Sequence, residues 1–350
     1  MDSITTAICN VSKTSVKLID YKTFDYSEKT RRLLENCLEL RTPQISELNF
    51  LVGQDSSKAL AEHAKILGLK IHLCGFHGQT VFHHSGLAET KSSLQVGVGE
   101  YIAQDLGCYV VCDFRFRDIV VNGEGAPLSP WGDLRLFGLD RPFAVLNIGG
   151  VANYTFIDRS KNLVIGFDTG PGNSLLDRTV RKLKMSALGY DRNGELGRLG
   201  DVDNEILSFM LDLDKFFDVQ PPKSCGFERF GDEFVEKILT TFPGKRPVDI
   251  LRTVYEFTIL GIVSGLKFMP KIDELILCGG GSQNSLLVEE IRKRVACRVT
   301  ISDDYGIPWH AREAMIFAVL AFDFLHGIPT NIPSVTGAKQ PVLLGRLICP

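Results

Sequence analysis

The same order of elements occurs twice along this chain, and that repetition restricts the fold more than any other feature of the sequence. Residues 5–11 and 15–21 are short runs of apolar and β-branched residues around a polar turn, which predicts a β-hairpin. The stretch "FAVLNIGGVANYTFIDRSKNLVIGFDTG" at 143–170 restarts this order with three predicted strands. Helical patterns follow both stretches, so the sequence predicts an α/β protein with an internal duplication.

The length of the chain predicts two lobes, because 350 residues exceed what a single hydrophobic core usually supports. We expect residues 1–122 and 326–350 to form an N-terminal lobe and residues 123–325 to form a C-terminal lobe. The crossing between the lobes, and a hinge, are expected in the Gly- and Pro-rich segment 122–130.

Charge and hydropathy exclude several classes of function. The net charge of -3 offers no basic patch for nucleic acid, which favours a small-molecule partner. The sequence contains no uninterrupted apolar run of the roughly 18 residues that a membrane span needs, so we expect a cytoplasmic protein. Nine scattered cysteines without a CxxC pair predict neither a disulfide framework nor a zinc site.

Two glycine turns are candidates for phosphate binding. "NIGG" at Asn147–Gly150 lies between two predicted strands, and "CGGGSQN" at Cys278–Asn284 lies between a strand and a helix. Glycines let a backbone approach a ligand closely, and a helix N-terminus offers free N–H donors to an anion. Tight turns without any ligand explain both patterns as well.

The stretch "GFDTGPGNSLLD" places two carboxylates at one strand-to-helix junction. Asp168 falls at the strand end, Asn173 is the predicted N-cap, and Asp177 is expected in the first helical turn. A helix N-terminus would hold Asp177 ionised and able to accept a proton. Plain complementation of the helix dipole is the alternative explanation.

Two further segments could bind a polar ligand. "GFHGQTVFHH" places His77 and Gln79 in a turn after a strand. "DFRFRDI" places Arg115 and Arg117 on one face of a predicted extended segment.

Taken together, the motifs of the chain resemble those of the anhydro-N-acetylmuramic acid kinases, from about residue 71 to the end. The resemblance rests on the order and spacing of "GFHGQTVFH", "LQVGVGEYIAQDLGCYVVCDFRFRDIVVNGEGAPL", "LNIGGVANYTF", "GFDTGPGNSLLD", "PPKSCGFERF", "LCGGGSQNSLL", "EAMIFAVLA" and "NIPSVTGA". It implies the two-lobed, ribonuclease H-like fold that sugar kinases share with actin and Hsp70, with ATP in the cleft between duplicated lobes. It also favours a homodimer.

The resemblance implies a reaction in which water attacks the anomeric carbon of a 1,6-anhydro sugar while the freed O6 takes the γ-phosphoryl group of ATP. Asp177 matches the catalytic base of the family. The residues implied for sugar binding are Asp168, Arg115, Arg117, His77 and Gln79.

The resemblance also implies contacts to ATP and Mg²⁺. The implied nucleotide contacts are Asn147, Gly149, Gly150, Gly279, Gly280, Gly281, Asn284 and Lys223. Asp2 and Glu313 are the implied Mg²⁺ ligands, because this cation takes one or two carboxylates and completes its shell with water.

Three departures from the family pattern alter these expectations. The family has a Ser-Gly-Thr-Ser phosphate loop before its first hairpin, where this sequence starts with "MDS". Glu124 stands in place of a Gln, and Trp131 with Gly132 replace Ala-Phe. Weak turnover is therefore one expectation. A non-catalytic relative that binds a sugar or a protein, and a kinase that prefers a levoglucosan-type sugar, are the alternatives.

Overall fold

A computed structural model of the chain describes residues 3–83, 89–226 and 229–350. Its strands are β1 (Ser3–Val11), β2 (Val16–Asp25), β3 (Leu73–Gly75), β4 (Gln79–His83), β5 (Ser93–Val96), β6 (Tyr109–Cys112), β7 (Phe143–Ile148), β8 (Val151–Asp158), β9 (Leu163–Pro171), β10 (Glu274–Cys278), β11 (Arg298–Ile301) and β12 (Arg346–Ile348). Its α-helices are α1 (Glu28–Glu35), α2 (Thr42–Leu67), α3 (Glu100–Leu106), α4 (Phe116–Val120), α5 (Ser129–Phe137), α6 (Asn173–Lys182), α7 (Asn204–Leu213), α8 (Asp232–Thr241), α9 (Pro247–Gly265), α10 (Ser285–Arg294), α11 (Arg312–Leu325) and α12 (Pro333–Thr336). The protein is α/β, as predicted.

The chain divides into two compact units. The first unit comprises the described parts of Met1–Gly138 and Gly306–Pro350, and the second comprises those of Leu139–Tyr305. These limits differ from the predicted lobe boundaries at 122/123 and 325/326. The segment 122–130, which we expected to be the crossing and the hinge, lies inside the first unit.

The second unit is built on one five-stranded sheet with the order β11-β10-β7-β8-β9. Strands β7, β8 and β9 are antiparallel neighbours, which confirms the three strands predicted at 143–170. Strand β10 is parallel to both β7 and β11. Three antiparallel strands extended by two parallel ones are the ribonuclease H-like arrangement that the resemblance implied.

The sheet structure of the first unit is divided. Strands β1 and β2 form the predicted antiparallel hairpin, with register pairs from Ser3↔Asp25 to Val11↔Val16. Strand β3 is parallel to β6, which pairs on its other edge with β12. Strands β4 and β5 form a separate antiparallel pair.

Local sequence explains how the long helix α2 starts and stops. Pro43 lies in its first turn, where a missing N–H costs nothing, and the side chain of Gln44 accepts the backbone N–H of Arg41 at 3.0 Å. The helix ends at Gly68, whose φ of 63° is the left-handed conformation that favours glycine. Between these ends, Leu48 and Val52 are buried and face the core of the first unit.

Each unit has its own hydrophobic core. In the second unit, helices α6 and α9 pack side chains such as Leu175 and Phe257 against the central strands. The described residues of the first unit include one smaller cluster around Val52 and Val110 and another around Phe114 and Leu320. None of the described helices is both long enough and apolar enough to cross a membrane.

The prediction of an extended segment at Arg115–Arg117 is wrong. Arg115 is the N-cap residue of the short helix α4, and Arg117 lies within that helix. The side chain of Asp118 explains the turn, because its buried carboxylate accepts the backbone N–H of Gly125 at 2.8 Å and so draws the chain back on itself.

Candidate functional site

In the second unit, the "NIGG" turn after β7 is bonded to the start of α6. The carbonyls of Gly149 and Gly150 accept the backbone N–H groups of Asn173 and Gly172, at 2.8 and 2.9 Å. The side-chain amide of Asn173 donates to the carbonyl of Ile148 at 3.0 Å. Asn173 therefore fixes the turn as the first residue of α6, and the N-cap is Gly172 rather than the predicted Asn173.

The "CGGG" turn after β10 packs directly on the "NIGG" turn. A Cβ atom at Gly279 would lie 2.6 Å from Oδ1 of Asn147, and one at Gly281 would lie 2.3 Å from Cγ2 of Ile148. Packing is therefore already a sufficient reason for glycine at positions 279 and 281. Gly280 follows in the short 3₁₀ turn Gly280–Gln283.

Gly149 differs from Gly279 and Gly281, because a Cβ atom there would make only ordinary contacts, the shortest being 3.4 Å to the carbonyl of Val151. Among the described residues, no backbone acceptor is recorded for the N–H of its neighbour Gly150. The structure thus packs the two predicted glycine turns against each other, and packing does not explain the glycine at 149.

Asn284 has structural partners on both sides of its amide. Its Oδ1 accepts the N–H of Leu287 at 3.3 Å, which caps α10, and its Nδ2 donates to the hydroxyl of Tyr255 at 2.7 Å. Tyr255 in turn donates to the carboxylate of Asp191 at 2.9 Å. The sequence analysis missed Tyr255 and Asp191, although a tyrosine within the apolar pattern of α9 is a signal of a buried hydroxyl that needs a partner.

Asp177 is the fifth residue of α6, so the prediction that it lies in the first turn is wrong. Its pKa is raised from 3.8 to about 6, mainly because burial disfavours the charged form, while the positive charge of Arg181 one turn later opposes the shift. The helix dipole argument predicted that Asp177 would be held ionised. Its environment instead favours the protonated carboxyl and so raises the pKa. It gives a carboxyl whose pKa lies just below neutral pH.

Asp168 also has a pKa raised to about 6, mainly by burial. Its carboxylate accepts the N–H of Cys225 at 2.9 Å, and its backbone N–H donates to the carbonyl of Lys223 at 3.1 Å. The ammonium of Lys223 donates to the carbonyl of Phe216 at 3.1 Å and lies 4.7 Å from the centre of its ring. The recorded contacts of Lys223 are therefore structural.

In the first unit, His77 and Arg115 form a hydrogen-bonded pair. Nε of Arg115 donates to Nε2 of His77 at 3.2 Å, and Nη1 donates to the carbonyl of Gly125 at 2.8 Å. The pKa of His77 is lowered to about 4, first by burial and second by the charge of Arg115. His77 is therefore neutral at pH 7, with Nδ1–H donating to the carbonyl of Gly78 and Nε2 accepting from Arg115.

Glu313, Gln79, His77 and Arg115 line one cavity of the first unit. The negative charge of Glu313 raises the pKa of Arg115, against the larger lowering effect of burial. Arg117 is exposed and does not line this cavity. Asp2, the other predicted Mg²⁺ ligand, lies outside the described residues.

The buried carboxylate of Asp118 holds two family motifs against each other. Its Oδ2 accepts the N–H of Gly125, and its Oδ1 accepts from Asn331 at 2.9 Å and from the hydroxyl of Thr336 at 2.7 Å. Asp118 thereby fixes the carbonyl of Gly125 that binds Arg115. The sequence signal for it was weak, because an acid inside a short amphipathic stretch is usually a solvated residue.

Trp131 and Gly132 lie where α5 packs against α11. The indole N–H of Trp131 donates to the carboxylate of Asp323 at 2.7 Å. A Cβ atom at Gly132 would lie 2.5 Å from Cγ1 of Ile316, so α5 approaches α11 closely at this point. These two residues therefore contribute to the packing of α5 against α11.

A family model described as "Anhydro-N-acetylmuramic acid kinase" matches residues 1–350. The chain belongs to this family. A relative from Caldanaerobacter subterraneus subsp. tengcongensis, named anhydro-N-acetylmuramic acid kinase, is 35% identical over 355 residues, covering 95% of this chain and 89% of the relative. A relative of the same name from Bacillus cereus strain 03BB102 is 36% identical over 372 residues, covering 100% and 97%. Membership of the anhydro-N-acetylmuramic acid kinase family places the chain among the phosphotransferases with an alcohol acceptor.

Solved structures give a weaker likeness than these relatives do. The activator of 2-hydroxyisocaproyl-CoA dehydratase from Clostridium difficile matches with a TM-score of 0.42 at 12% identity, covering 91% of this chain and 95% of that one. A ROK family glucokinase from Streptomyces griseus matches with a TM-score of 0.40 at 12% identity, covering 91% and 99%. TM-scores this low support no argument about which ligands this protein binds.

Proposed function

We propose that this protein hydrolytically opens 1,6-anhydro-N-acetylmuramic acid and phosphorylates its O6, with ATP as the phosphoryl donor. Asp177 accepts a proton from the water that attacks the anomeric carbon. The carbon–oxygen bond to O6 breaks, and the freed O6 takes the γ-phosphoryl group of ATP. Cytoplasmic location and a homodimer belong to the same proposal.

The full-length match to the anhydro-N-acetylmuramic acid kinase family carries the proposal, and the environment of Asp177 supports it. A general base works best when its pKa lies near the working pH, and the pKa of this carboxyl is raised to about 6 by burial. At pH 7 most of the carboxyl is ionised and able to accept a proton. A carboxyl that only complemented a helix dipole would lie in the first turn, which Asp177 does not.

The two glycine turns support the nucleotide assignment. "NIGG" and "CGGG" pack on each other at the carboxyl ends of β7 and β10. Packing does not account for the glycine at 149, whose own N–H donates to the carbonyl of Val151 at 3.2 Å. A backbone without side chains at this place allows phosphates to approach the N–H groups closely. Arg115, oriented by His77 and Gly125, supplies a guanidinium for a polar group of the sugar.

Of the two predicted Mg²⁺ ligands, Glu313 is the one that lies within the described residues, and its carboxylate suits Mg²⁺. Glu313 lines the cavity with an oxygen ligand of the kind that hard cations take, and the bound cation would neutralise charge on the phosphates.

The test is the reaction itself, run in H₂¹⁸O with Mg²⁺ and ATP. We expect formation of ADP that requires the anhydrosugar, and a product with one ¹⁸O at C1 and one phosphoryl group at O6, seen by mass spectrometry and ³¹P NMR. Levoglucosan in place of the anhydrosugar should react more slowly. ADP without a phosphorylated sugar, or binding of the sugar without turnover, would contradict the proposal.

The variant Asp177→Asn should lower kcat by about 10² to 10⁴ and leave KM nearly unchanged, since a base acts in the transition state. Because the folded pKa of Asp177 lies above 3.8, ionisation makes the fold less stable as the pH rises from about 4 to 6. The variant should therefore melt no lower than the wild type at pH 7. The matched control is Glu233→Gln, an exposed acid on α8 that should retain full activity.

A further inference from the structure

The 3₁₀ turn Gly280–Gln283, which carries most of the "CGGG" motif, is bonded mainly to itself. The N–H and the hydroxyl of Ser282 both donate to the carbonyl of Gly279, at 3.0 and 2.7 Å. The N–H of Asn284 donates to the carbonyl of Gly281 at 3.1 Å. Among the described residues, no hydrogen bond is recorded from this turn to a residue outside 279–284. Apart from the glycine packing described above, Asn284 is therefore the link between the turn and the rest of the second unit.

The side chain of Asn284 is held on both sides. Its Nδ2 donates to the hydroxyl of Tyr255 at 2.7 Å, and its Oδ1 accepts the N–H of Leu287 at 3.3 Å. A Cβ atom at Gly194 would lie 2.7 Å from the same Oδ1, so the loop that contains this glycine covers the amide. The position of the turn thus depends on groups that lie behind Asn284.

The hydroxyl of Tyr255 accepts from Asn284 because its own proton is engaged elsewhere. Burial raises the pKa of Tyr255, and the negative charge of Asp191 raises it further, so the hydroxyl keeps its proton at neutral pH. This proton is donated to Oδ2 of Asp191 at 2.9 Å. A carboxylate can only accept and an amide NH₂ can only donate, so the direction of both hydrogen bonds is fixed.

Asp191 is anchored by the backbone of its own loop. Its two carboxylate oxygens accept the N–H groups of Leu196 and Gly197, each at 2.9 Å. The loop also packs on the aromatic ring, because a Cβ atom at Gly197 would lie 2.6 Å from Cε2 of Tyr255. The hydrogen-bonded series Asp191–Tyr255–Asn284 therefore joins a fixed loop to the end of the glycine turn.

We propose that Asp191 and Tyr255 are positioning residues for the nucleotide, which hold Asn284 and, through it, the "CGGG" turn. The inference rests on the proposed function, since that function assigns this turn to ATP. A glycine turn has no side chains that can adjust to a ligand, so its affinity depends on where its backbone is held. Loss of the hydroxyl of Tyr255 would also leave a buried N–H of Asn284 without its acceptor, which favours a shift of the turn.

The test compares two buried tyrosines of the second unit, each replaced by phenylalanine. Tyr255→Phe removes the acceptor of Asn284. Tyr154→Phe is the matched control, because its hydroxyl donates to the carbonyl of Ile262 at 3.2 Å and, among the described residues, has no recorded bond to Asn284 or the turn. Both variants lose a buried hydrogen bond, so both should melt at a lower temperature than the wild type.

Nucleotide affinity distinguishes positioning from stability. With fluorescent N-methylanthraniloyl-ADP and Mg²⁺, we expect Tyr255→Phe to raise Kd at least about fivefold, as expected for a lost buried hydrogen bond. Tyr154→Phe should stay within about twofold of the wild type, since it shares no partner with the turn. In steady-state kinetics, Tyr255→Phe should raise KM for ATP and leave both KM for the anhydrosugar and kcat at saturating ATP near their wild-type values.

A second substitution shows whether Tyr255 acts through Asn284. Asn284→Ser keeps a residue that can cap α10 and removes the donor to Tyr255, so it should also weaken nucleotide binding. Adding Tyr255→Phe to Asn284→Ser should then weaken binding little further. If Tyr255→Phe does not fold, Asn284→Ser alone provides the test.

The outcomes separate this inference from the proposed function. A wild-type protein that binds no nucleotide would overturn the proposed function and the inference with it. A wild-type protein that binds nucleotide, with unchanged affinity in Tyr255→Phe or in Asn284→Ser, would overturn the inference alone. Additive losses in the double variant, or an equal loss in Tyr154→Phe, would do the same.

Discussion

His77 and Arg115 form a pair in which each residue determines what the other can do. Burial keeps the imidazole neutral, so Nε2 is free to accept from the guanidinium. The ring of His77 also stacks on Phe317 with centroids 4.5 Å apart, which fixes its plane. The predicted contact of His77 with the sugar stays a prediction, and its hydrogen bond to Arg115 supports an orienting role as well.

Replacing His77 with phenylalanine keeps the stacking and removes the acceptor. We expect His77→Phe to raise KM for the anhydrosugar about three- to tenfold, which corresponds to the loss of one hydrogen bond, and to lower the melting temperature, because Nε of Arg115 loses its acceptor. His77→Gln restores a side-chain acceptor and should recover much of the loss. If both variants behaved alike in steady-state kinetics, the orienting role would be wrong.

The pH dependence of turnover should report the pKa of Asp177. Because the base must be ionised, kcat should fall as the pH drops below about 6. Arg181 lowers this pKa, so Arg181→Gln should move the acidic limb to higher pH, while Arg181→Lys should leave it in place. Profiles of kcat between about pH 5 and 8 decide the matter. A limb unaffected by Arg181→Gln would point to another group, such as Asp168.

At the scale of elements, Asp118 connects α4 to two segments that are far apart in sequence. Its carboxylate binds Gly125 in one segment and Asn331 and Thr336 in the other. The segment 122–130, expected to be a hinge, is thereby held within the first unit. A Cβ atom at Gly123 would lie 2.0 Å from the carboxylate, so this glycine is required by the contact.

Asp118→Asn replaces one carboxylate oxygen with an NH₂ group, which cannot accept the hydrogen bonds that Gly125, Asn331 and Thr336 donate to Asp118. We expect the free energy of unfolding to fall by about 2–3 kcal/mol, since a buried donor loses its partner. Urea unfolding measures this, with Asp212→Asn as the exposed control, which should change stability by less than about 0.5 kcal/mol. Equal stability of the two variants would show that the three bonds contribute little.

The elements themselves were largely predictable, because each strand and helix carries its own period and its own end signals. The "NIGG" hairpin and helix α9 illustrate this, since their apolar patterns lie within single short stretches. Interactions between distant segments were not predictable. The hydrogen bond of Asn284 depends on Tyr255, which is remote in sequence from it, and the pKa of Asp177 depends on its burial in the folded unit. The identity of Asp177 was visible in the motif, but its charge environment was not.

For the molecule as a whole, the two units differ in how completely their strands are joined. Among the described residues, the second unit has a five-stranded sheet and a large continuous core, while the first has divided sheets and smaller clusters. Regions with fewer buried contacts open more readily.

Native-state hydrogen exchange should reflect this difference. We expect amides of β1 to exchange at least about a hundredfold faster than those of β10, which lies between two partner strands. Mass spectrometry of peptic fragments at neutral pH measures both strands in one sample. Equal protection of the two strands would mean that the first unit is as firmly joined as the second.

Two of the protein's own thiols allow the distance between β1 and β3 to be measured across the cavity that both strands line. Cys9 of β1 and Cys74 of β3 line it from opposite sides, and both are free. Bifunctional thiol reagents of graded span would connect them only when their length matches the gap. A short reagent would report strands drawn together, and a longer one would report strands held apart. The sequence thus carries a distance probe that needs no added label, although burial raises the pKa of both thiols and makes the labelling slow.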